Sequence, residues 1–197
     1  MPGVMIGSRY AGVEWLTLND QNGEVTGAND SAVKSRFVTV WTQIAERFKD
    51  FDERLLFESM NEIHDGYDAP DPRYYAIIND LNQVFVDTVR ASGGNNARRH
   101  LVVPGYNTNI DYTLVGFELP EDPTPGRLIL SVHYYDPWPF AGEASTQAWG
   151  ETSPGNDGWG QEDFVLEQFD KLRTTYVERG VAVLMGEYGA VHQAGYE

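Results

Sequence analysis

Leu55-Leu56-Phe57-Glu58-Ser59-Met60-Asn61-Glu62 is an apolar run of strand length that ends in an amide and a carboxylate. A second run, Val181 to Glu187, likewise ends in a carboxylate, inside Gly186-Glu187-Tyr188-Gly189. Each delivers a glutamate at the C-terminal end of a short buried strand. Parallel α/β folds keep their chemistry there, because side chains project from a rigid sheet edge into a crevice built by the following loops.

Working outward, strand-length apolar runs alternate with helix-period segments. Val4 to Ser8 reads as a strand, and Asp30 as the N-cap of a helix to about Lys49 with Val33, Phe37, Val40, Trp41, Ile44 and Phe48 on one stripe. Pro72 opens a helix carrying Tyr75, Ile78, Leu81, Phe85 and Val89, closed by Gly93-Gly94 and followed by a strand over Leu101 to Pro104. Leu128 to Tyr135 is the next strand, and a long loop runs from it to about Gly160. A helix over Glu162 to Arg179, stopped by Gly180, leads into the last strand, Val181 to Glu187. With no antiparallel hairpin signal, this is the grammar of parallel βα units in a single domain, residues 1–197, with no linker or repeat. Five strands fall short of a closed barrel, which needs eight βα units and typically about 250 residues.

Composition narrows the partners. A formal net charge of −16 argues against nucleic acid and anionic membrane, whose phosphates are bound chiefly by Lys and Arg; a neutral substrate fits better. The absence of cysteine excludes disulfides and thiol chemistry. No segment approaches the roughly 20 apolar residues that span a bilayer, and no signal-peptide pattern is read at the N-terminus. G-x-G-x-x-G, P-loop and G-x-S-x-G motifs are lacking, which argues against dinucleotide, nucleotide and serine-hydrolase chemistry.

Strand alternation sorts the chemical groups. Leu56, Glu58, Met60 and Glu62 should share a face, as should Ser131, His133 and Tyr135, and likewise Val183, Met185 and Glu187. Asn61, Glu62, His133, Tyr135 and Glu187 then converge at one rim, joined by Tyr106 and Asn107. Two carboxylates facing one another there are the minimal equipment for hydrolysing a glycosidic bond. Trp138, Trp149 and Trp159 lie in or beside the long loop, where indole rings can stack on sugar faces. Glu58 reads as part of a buried polar network, and Trp41 and Phe85 read as core. His64, Asp65, Asp68 and Asp71 read as a solvated loop rather than a metal site, and His192 carries no reading.

Phe57-Glu58-Ser59-Met60-Asn61-Glu62, Ser131-Val132-His133-Tyr134-Tyr135-Asp136-Pro137-Trp138 and Gly186-Glu187-Tyr188-Gly189, in this order, resemble the signatures of glycoside hydrolase family 5 cellulases, and the likeness covers nearly the whole chain from Trp15. The resemblance implies an α/β fold of (β/α)8 TIM-barrel type, present in part with about five βα units. It implies Glu62 as general acid/base and Glu187 as nucleophile of a retaining mechanism, Asn61 on the sugar 2-hydroxyl, and His133 and Tyr135 beside them, the Tyr holding the nucleophile. No cofactor or metal is called for.

Some family features lack counterparts. The first strand looks like the family's third, and where that family carries a His pair the chain reads Ser8-Arg9-Tyr10-Ala11-Gly12. Counterparts of the family's first, second and eighth strands, with an Arg and a Trp, are missing. The implied activity is that of a secreted endo-β-1,4-glucanase acting on cellulose-like polysaccharide, with xyloglucan, xylan or mannan as alternative substrates. The reading from another class is a non-catalytic glycan-binding or vestigial barrel fragment. Unpaired strand edges near Val4 to Ser8 and Val181 to Glu187 would call for a second copy to cover them.

Overall fold

The computed structural model describes residues 3–5, 9–10, 13–19, 22–25, 31–66 and 69–191. Five strands form one parallel sheet in the order β1 (Gly3–Met5), β4 (Leu56–Glu58), β5 (Leu101–Asn109), β6 (Leu128–Tyr134) and β7 (Ala182–Tyr188). All four pairings are parallel, so the C-terminal ends of all five strands lie along one edge of the sheet. The remaining reach of the first expected strand, to Ser8, lies outside the described residues, as do Asp30, Asp68 and His192.

One expectation is corrected at once. Arg9–Tyr10 (β2) and Val13–Glu14 (β3) pair antiparallel, forming a hairpin. The intervening dipeptide Ala11-Gly12 is not among those that announce a two-residue hairpin turn, so no hairpin is legible there.

The helical stripe of α1 (Ser31–Phe48) is buried as its period requires, with Phe37, Trp41 and Ala45 inaccessible. In α2 (Pro72–Ala91), Pro72 occupies the first turn, where its missing N–H costs nothing, and Asp71 caps the helix by accepting from the Arg73 N–H at 2.9 Å. Trp41 ties the two helices to the sheet: its ring meets Phe85 of α2 edge-on at 4.5 Å and Phe57 of β4 at 5.7 Å. Phe57, Leu101 and Val103 therefore face these helices. Leu130 and Val132 face a second cluster around Leu172 of α5 (Glu162–Thr175) and Tyr176. The alternate residues, among them Glu58, Ser131 and His133, are left for the opposite, inner face.

β5 runs beyond Pro104, where the sequence suggested a stop. Asn82, fully buried on α2, donates to the Pro104 carbonyl at 2.8 Å and accepts from the Ser59 hydroxyl at 2.6 Å, fastening the ends of β4 and β5 together. The ladder then shifts register between Pro104 and Asn109, and Asn109 caps a short helix, α3 (Ile110–Gly116), by accepting from the Tyr112 N–H. Helix α4 (Trp138–Ala141) opens the long loop after β6.

At the opposite end of the sheet, Arg99 is 1 % exposed. It donates to Asn96 Oδ1 and to the carbonyls of Asp52, Leu55, Phe48 and Phe51 at 2.7–3.0 Å. Its guanidinium also lies 4.6 Å from the centre of the Phe57 ring. β7 forms an edge of the sheet with exposed and half-buried residues alternating along it; Leu184 and Tyr188 are open to solvent, as are Leu166 and Phe169 of α5. Among the described residues β7 has no further strand beside it, as expected near residues 181–187.

Candidate active site

β4 ends at Glu58, and Glu62 sits in the left-handed region at φ 47°. Alternation along β4 therefore does not govern Glu62, contrary to the sequence expectation; a backbone turn aims it. Neighbouring Asn107 and Thr108 are left-handed as well, at φ 54° and 51°. The two turns hold each other: the Glu62 N–H donates to Thr108 Oγ1 at 3.2 Å, and the Asn107 N–H donates to the Ile63 carbonyl at 3.0 Å. Non-glycine residues in this region are sparsely populated and persist when surrounding contacts fix them.

Glu187 also reaches the site by an irregularity. Residues 129–132 pair in step with 182–185, but His133 pairs with Glu187, so Gly186 is the extra residue. Val183 and Met185 take the side of Leu130 and Val132, whereas Glu187 takes the side of His133. The expectation that Val183, Met185 and Glu187 share a face is thus overturned by a bulge, which re-aims a side chain at a strand end.

These two devices bring the carboxylates to one imidazole. His133 Nδ1 lies 2.7 Å from Glu62 Oε1 and 3.7 Å from Glu187 Oε2, and the Tyr135 hydroxyl donates to Glu187 Oε2 at 2.9 Å. The closest ligating atoms of Glu62, His133 and Glu187 all lie within 4.8 Å of one another. The side chain of His133 is 5 % exposed, against 37 % for Glu62 and 35 % for Glu187. The carboxylates face solvent and the ring that joins them does not. Its Nδ1, flanked by carboxylate oxygens, is best satisfied carrying a proton and donating to Glu62. Burial, reinforced by the hydrogen bond and charge of Glu187, pushes the Tyr135 phenol up, so it stays a neutral donor. Three such groups can in principle bracket a cation. Here the phenol already donates to Glu187 and the imidazole to Glu62, an arrangement suited to moving protons rather than to ligation.

Beneath them, Glu58 Oε1 is buried without a hydrogen-bond partner. Burial pushes its carboxyl up, the Glu187 charge adds to this, and Ser131 and His133 oppose it. The Ser131 hydroxyl acts from nearby, outside hydrogen-bonding geometry. Asn61 Oδ1 is likewise buried and unpartnered, an acceptor ready for a hydroxyl.

The other candidates divide. The Trp138 ring is 51 % exposed and meets Tyr135 edge-on at 6.3 Å, beside the nucleophile candidate. Trp149 donates from Nε1 to the Gly160 carbonyl, and Trp159 lies edge-on to Phe164 of α5; both rings are partly exposed, but they are fastened to the loop and helix. Tyr106 is corrected: at 2 % exposure it stacks on Tyr74 and accepts from the Asp65 N–H at 2.9 Å, holding a loop from within. Asn107 contributes its backbone to the paired turns. Thr108 and Gly186 escaped the sequence reading, since nothing local announces a left-handed threonine or the register of a bulge.

Two cavities stand out among the described residues. One of about 400 Å³, lined by Glu53, Asn95, Arg98, Arg99 and Arg127, opens at the N-terminal ends of the strands, away from the carboxylates. A smaller one adjoins Glu62.

A family model described as Cellulase (glycosyl hydrolase family 5) matches residues 11–197. Endoglucanase A of Paenibacillus barcinonensis is 43 % identical over 189 residues, covering 88 % of this chain and 47 % of that protein. A xyloglucan-specific endo-beta-1,4-glucanase of Bacteroides ovatus is 40 % identical, covering 82 % of this chain and 34 % of its own length. Among solved structures, a GH5-4 broad specificity endoglucanase from Bacteroides salanitronis superposes with a TM-score of 0.88 at 42 % identity, covering 98 % of this chain and 54 % of that one. A family 5 xyloglucanase from Paenibacillus pabuli, solved with a ligand, gives the same TM-score and identity, covering 99 % and 58 %. The chain spans about half the length of the relatives it matches or less, and its parallel sheet is part of a (β/α)8 barrel. The chain belongs to glycoside hydrolase family 5.

Proposed function

We propose that this site cleaves β-1,4-linked glucan within the chain, by double displacement with retention. The observation that carries the reading is the spacing of the two glutamates: closest ligating atoms within 4.8 Å, against roughly 5 Å between carboxyl groups for retaining and about 6.5–9.5 Å for inverting sites. In the first step a Glu187 carboxylate oxygen attacks the anomeric carbon as the glycosidic bond breaks, and Glu62 gives its proton to the departing oxygen. In the second, Glu62 takes a proton from water, the resulting hydroxide displaces the Glu187 ester, and both carboxyls return to their starting states. His133 holds Glu62, Tyr135 holds the attacking oxygen's carboxylate, and Asn61 receives the 2-hydroxyl. Trp138 supplies an apolar platform beside the nucleophile, with Trp149 and Trp159 further along the loop. The polymeric substrate implies work outside the cell; among the described residues no helix is long and apolar enough to cross a membrane.

Release of reducing ends from carboxymethyl cellulose, with the first-formed anomer read by proton NMR, tests this. Retention, and loss of turnover in Glu187→Gln, are expected. An inverted product or full activity of Glu187→Gln overturns the mechanism. Because the chain spans about half of its relatives, a second reading is a glycan-binding fragment without turnover; retardation in a gel containing the same polymer, with no reducing ends released, would favour it.

A further inference from the structure

Arginines gather at the end of the sheet remote from Glu62 and Glu187. Arg98 and Arg99 stand just ahead of β5 and Arg127 just ahead of β6, and the Leu101 N–H, donating to the Arg127 carbonyl at 2.9 Å, holds the two strand starts together. With Glu53 and Asn95 they line the cavity of about 400 Å³. Their charges lack counter-ions. Among the described residues none of the three is in an ion pair, the Asp52 carboxylate being held by Arg54 and that of Asp122 by Arg90. Arg99 gives all its N–H groups to neutral acceptors, so it offers the cavity charge and no hydrogens. Burial draws its guanidinium below the ordinary value; Asp52 opposes this and Arg90 adds to it. Arg98 is exposed, and its side chain has no hydrogen-bond partner. The half-buried Arg127 meets only the His100 ring, at 3.3 Å from Nε2 and 3.4 Å from Nδ1, which leaves most of its fork of donors unused. Burial and the Arg127 charge push that imidazole down, so it stays neutral.

We propose that this cavity binds a tetrahedral dianion, in the form of a phosphate monoester of a single sugar. The charge agrees. Three guanidinium groups against the Glu53 carboxylate leave two positive charges on the lining, which a dianion neutralises and one carboxylate does not. The geometry agrees as well, since the planar forks of Arg98 and Arg127 each match a pair of phosphate oxygens, while Arg99 adds its field alone. Asn95 supplies an amide beside them. The volume lies within the range of roughly 300–1,000 Å³ typical of small-molecule sites, more than a bare oxyanion fills, and so leaves room for an attached ring. The net charge of −16 repels anions at a distance. Salt confines such repulsion to about 8 Å at physiological ionic strength, so the arginines decide the sign of the field inside the cavity. This site stands apart from the paired glutamates and holds whether or not they turn over glucan.

The test is calorimetric titration with glucose 6-phosphate, inorganic phosphate, sulfate and succinate, at one ionic strength set with sodium chloride, beside thermal melts in the same solutions. Glucose 6-phosphate is expected to bind at a single site and to raise the thermal midpoint, as any ligand of the folded state does. Phosphate and sulfate should follow more weakly, and succinate last. Arg98→Gln and Arg127→Gln should each weaken glucose 6-phosphate by about tenfold or more, the loss of a charge-assisted pair. Arg127→Lys should recover part of that, since it keeps the charge without the fork. Arg36→Gln, the same loss of charge on an exposed residue outside the cavity, should leave binding unaltered. Melts without anion check that the variants fold. No heat and no shift with any of the four anions, or binding that survives both Arg98→Gln and Arg127→Gln, overturns the site. Succinate binding more tightly than sulfate overturns the tetrahedral assignment, and phosphate binding as tightly as its sugar ester overturns the sugar.

Discussion

Gly186 and His133 face each other so closely that a β-carbon on Gly186 would stand 3.3 Å from the imidazole Nε2 and 3.2 Å from Ser131 Oγ. The bulge that brings Glu187 into line therefore depends on the absence of a side chain. In Gly186→Ala the imidazole must give by a few tenths of an ångström, and since a misplacement of about 1 Å costs roughly a hundredfold, turnover should fall about three- to tenfold. The thermal midpoint should change little. An unchanged kcat would show that the imidazole position is not limiting.

Tyr135 donates to Glu187 at 2.9 Å, and hydrogen bonds to charged acceptors contribute about 1.5–3 kcal/mol. Tyr135→Phe should lower kcat by roughly ten- to a hundredfold with KM little altered, since on the proposed mechanism the bond orients Glu187 rather than the bound sugar. A rise in KM alone would move Tyr135 to substrate binding.

Glu58 gives a pH prediction of definite sign. Burial raises its carboxyl in the folded protein above the ordinary value of 4.5, so the folded state holds that proton more tightly than the unfolded chain. The stabilisation it contributes is complete below the ordinary value and is lost as pH climbs through the folded one. Glu58→Gln cannot lose a proton, so its stability relative to the parent, read from paired urea melts, should improve as pH rises towards neutrality. A constant difference across pH would contradict this.

Arg99 serves acceptors on four separate backbone carbonyls and on Asn96. Arg99→Met leaves them buried without donors and should cost about 3–5 kcal/mol, a large share of a domain's total. Arg99→Lys should rescue little, because a point charge cannot reproduce the planar fork. Urea denaturation of the two variants decides it.

The open β7 edge, with Leu184, Tyr188, Leu166 and Phe169 exposed near it, is expected to drive association of the isolated chain. Light scattering should give a mass above one protomer. A monomer that binds no hydrophobic dye would contradict this.

The periods of α1 and α2 and the order of the strands were legible because burial enforces them along whole elements: Trp41 and Phe85 are fully buried. The rim was legible in its membership and not in its construction. Alternation assigns Glu62 and Glu187 to faces as if both strands ran on regularly. In fact Glu62 arrives through a left-handed turn and Glu187 through an extra residue. Tyr106 looked like a rim residue because it follows Pro104 and Gly105, where a strand was expected to have ended. β5 continues instead, and its phenol is used to hold Asp65.

The interlocked turns at Glu62 and Thr108 separate two fates of this protein. The hydroxyl that receives the Glu62 N–H belongs to Thr108, near the C-terminal end of β5, while the Trp41 contacts lie against the helices and the Arg99 hub at the other end of the sheet. Loss of the Thr108 hydroxyl would release the acid's aim and leave the foundation intact. The orientation of Glu62 and the stability of the sheet thus rest on separate sets of residues, so one can be changed without the other.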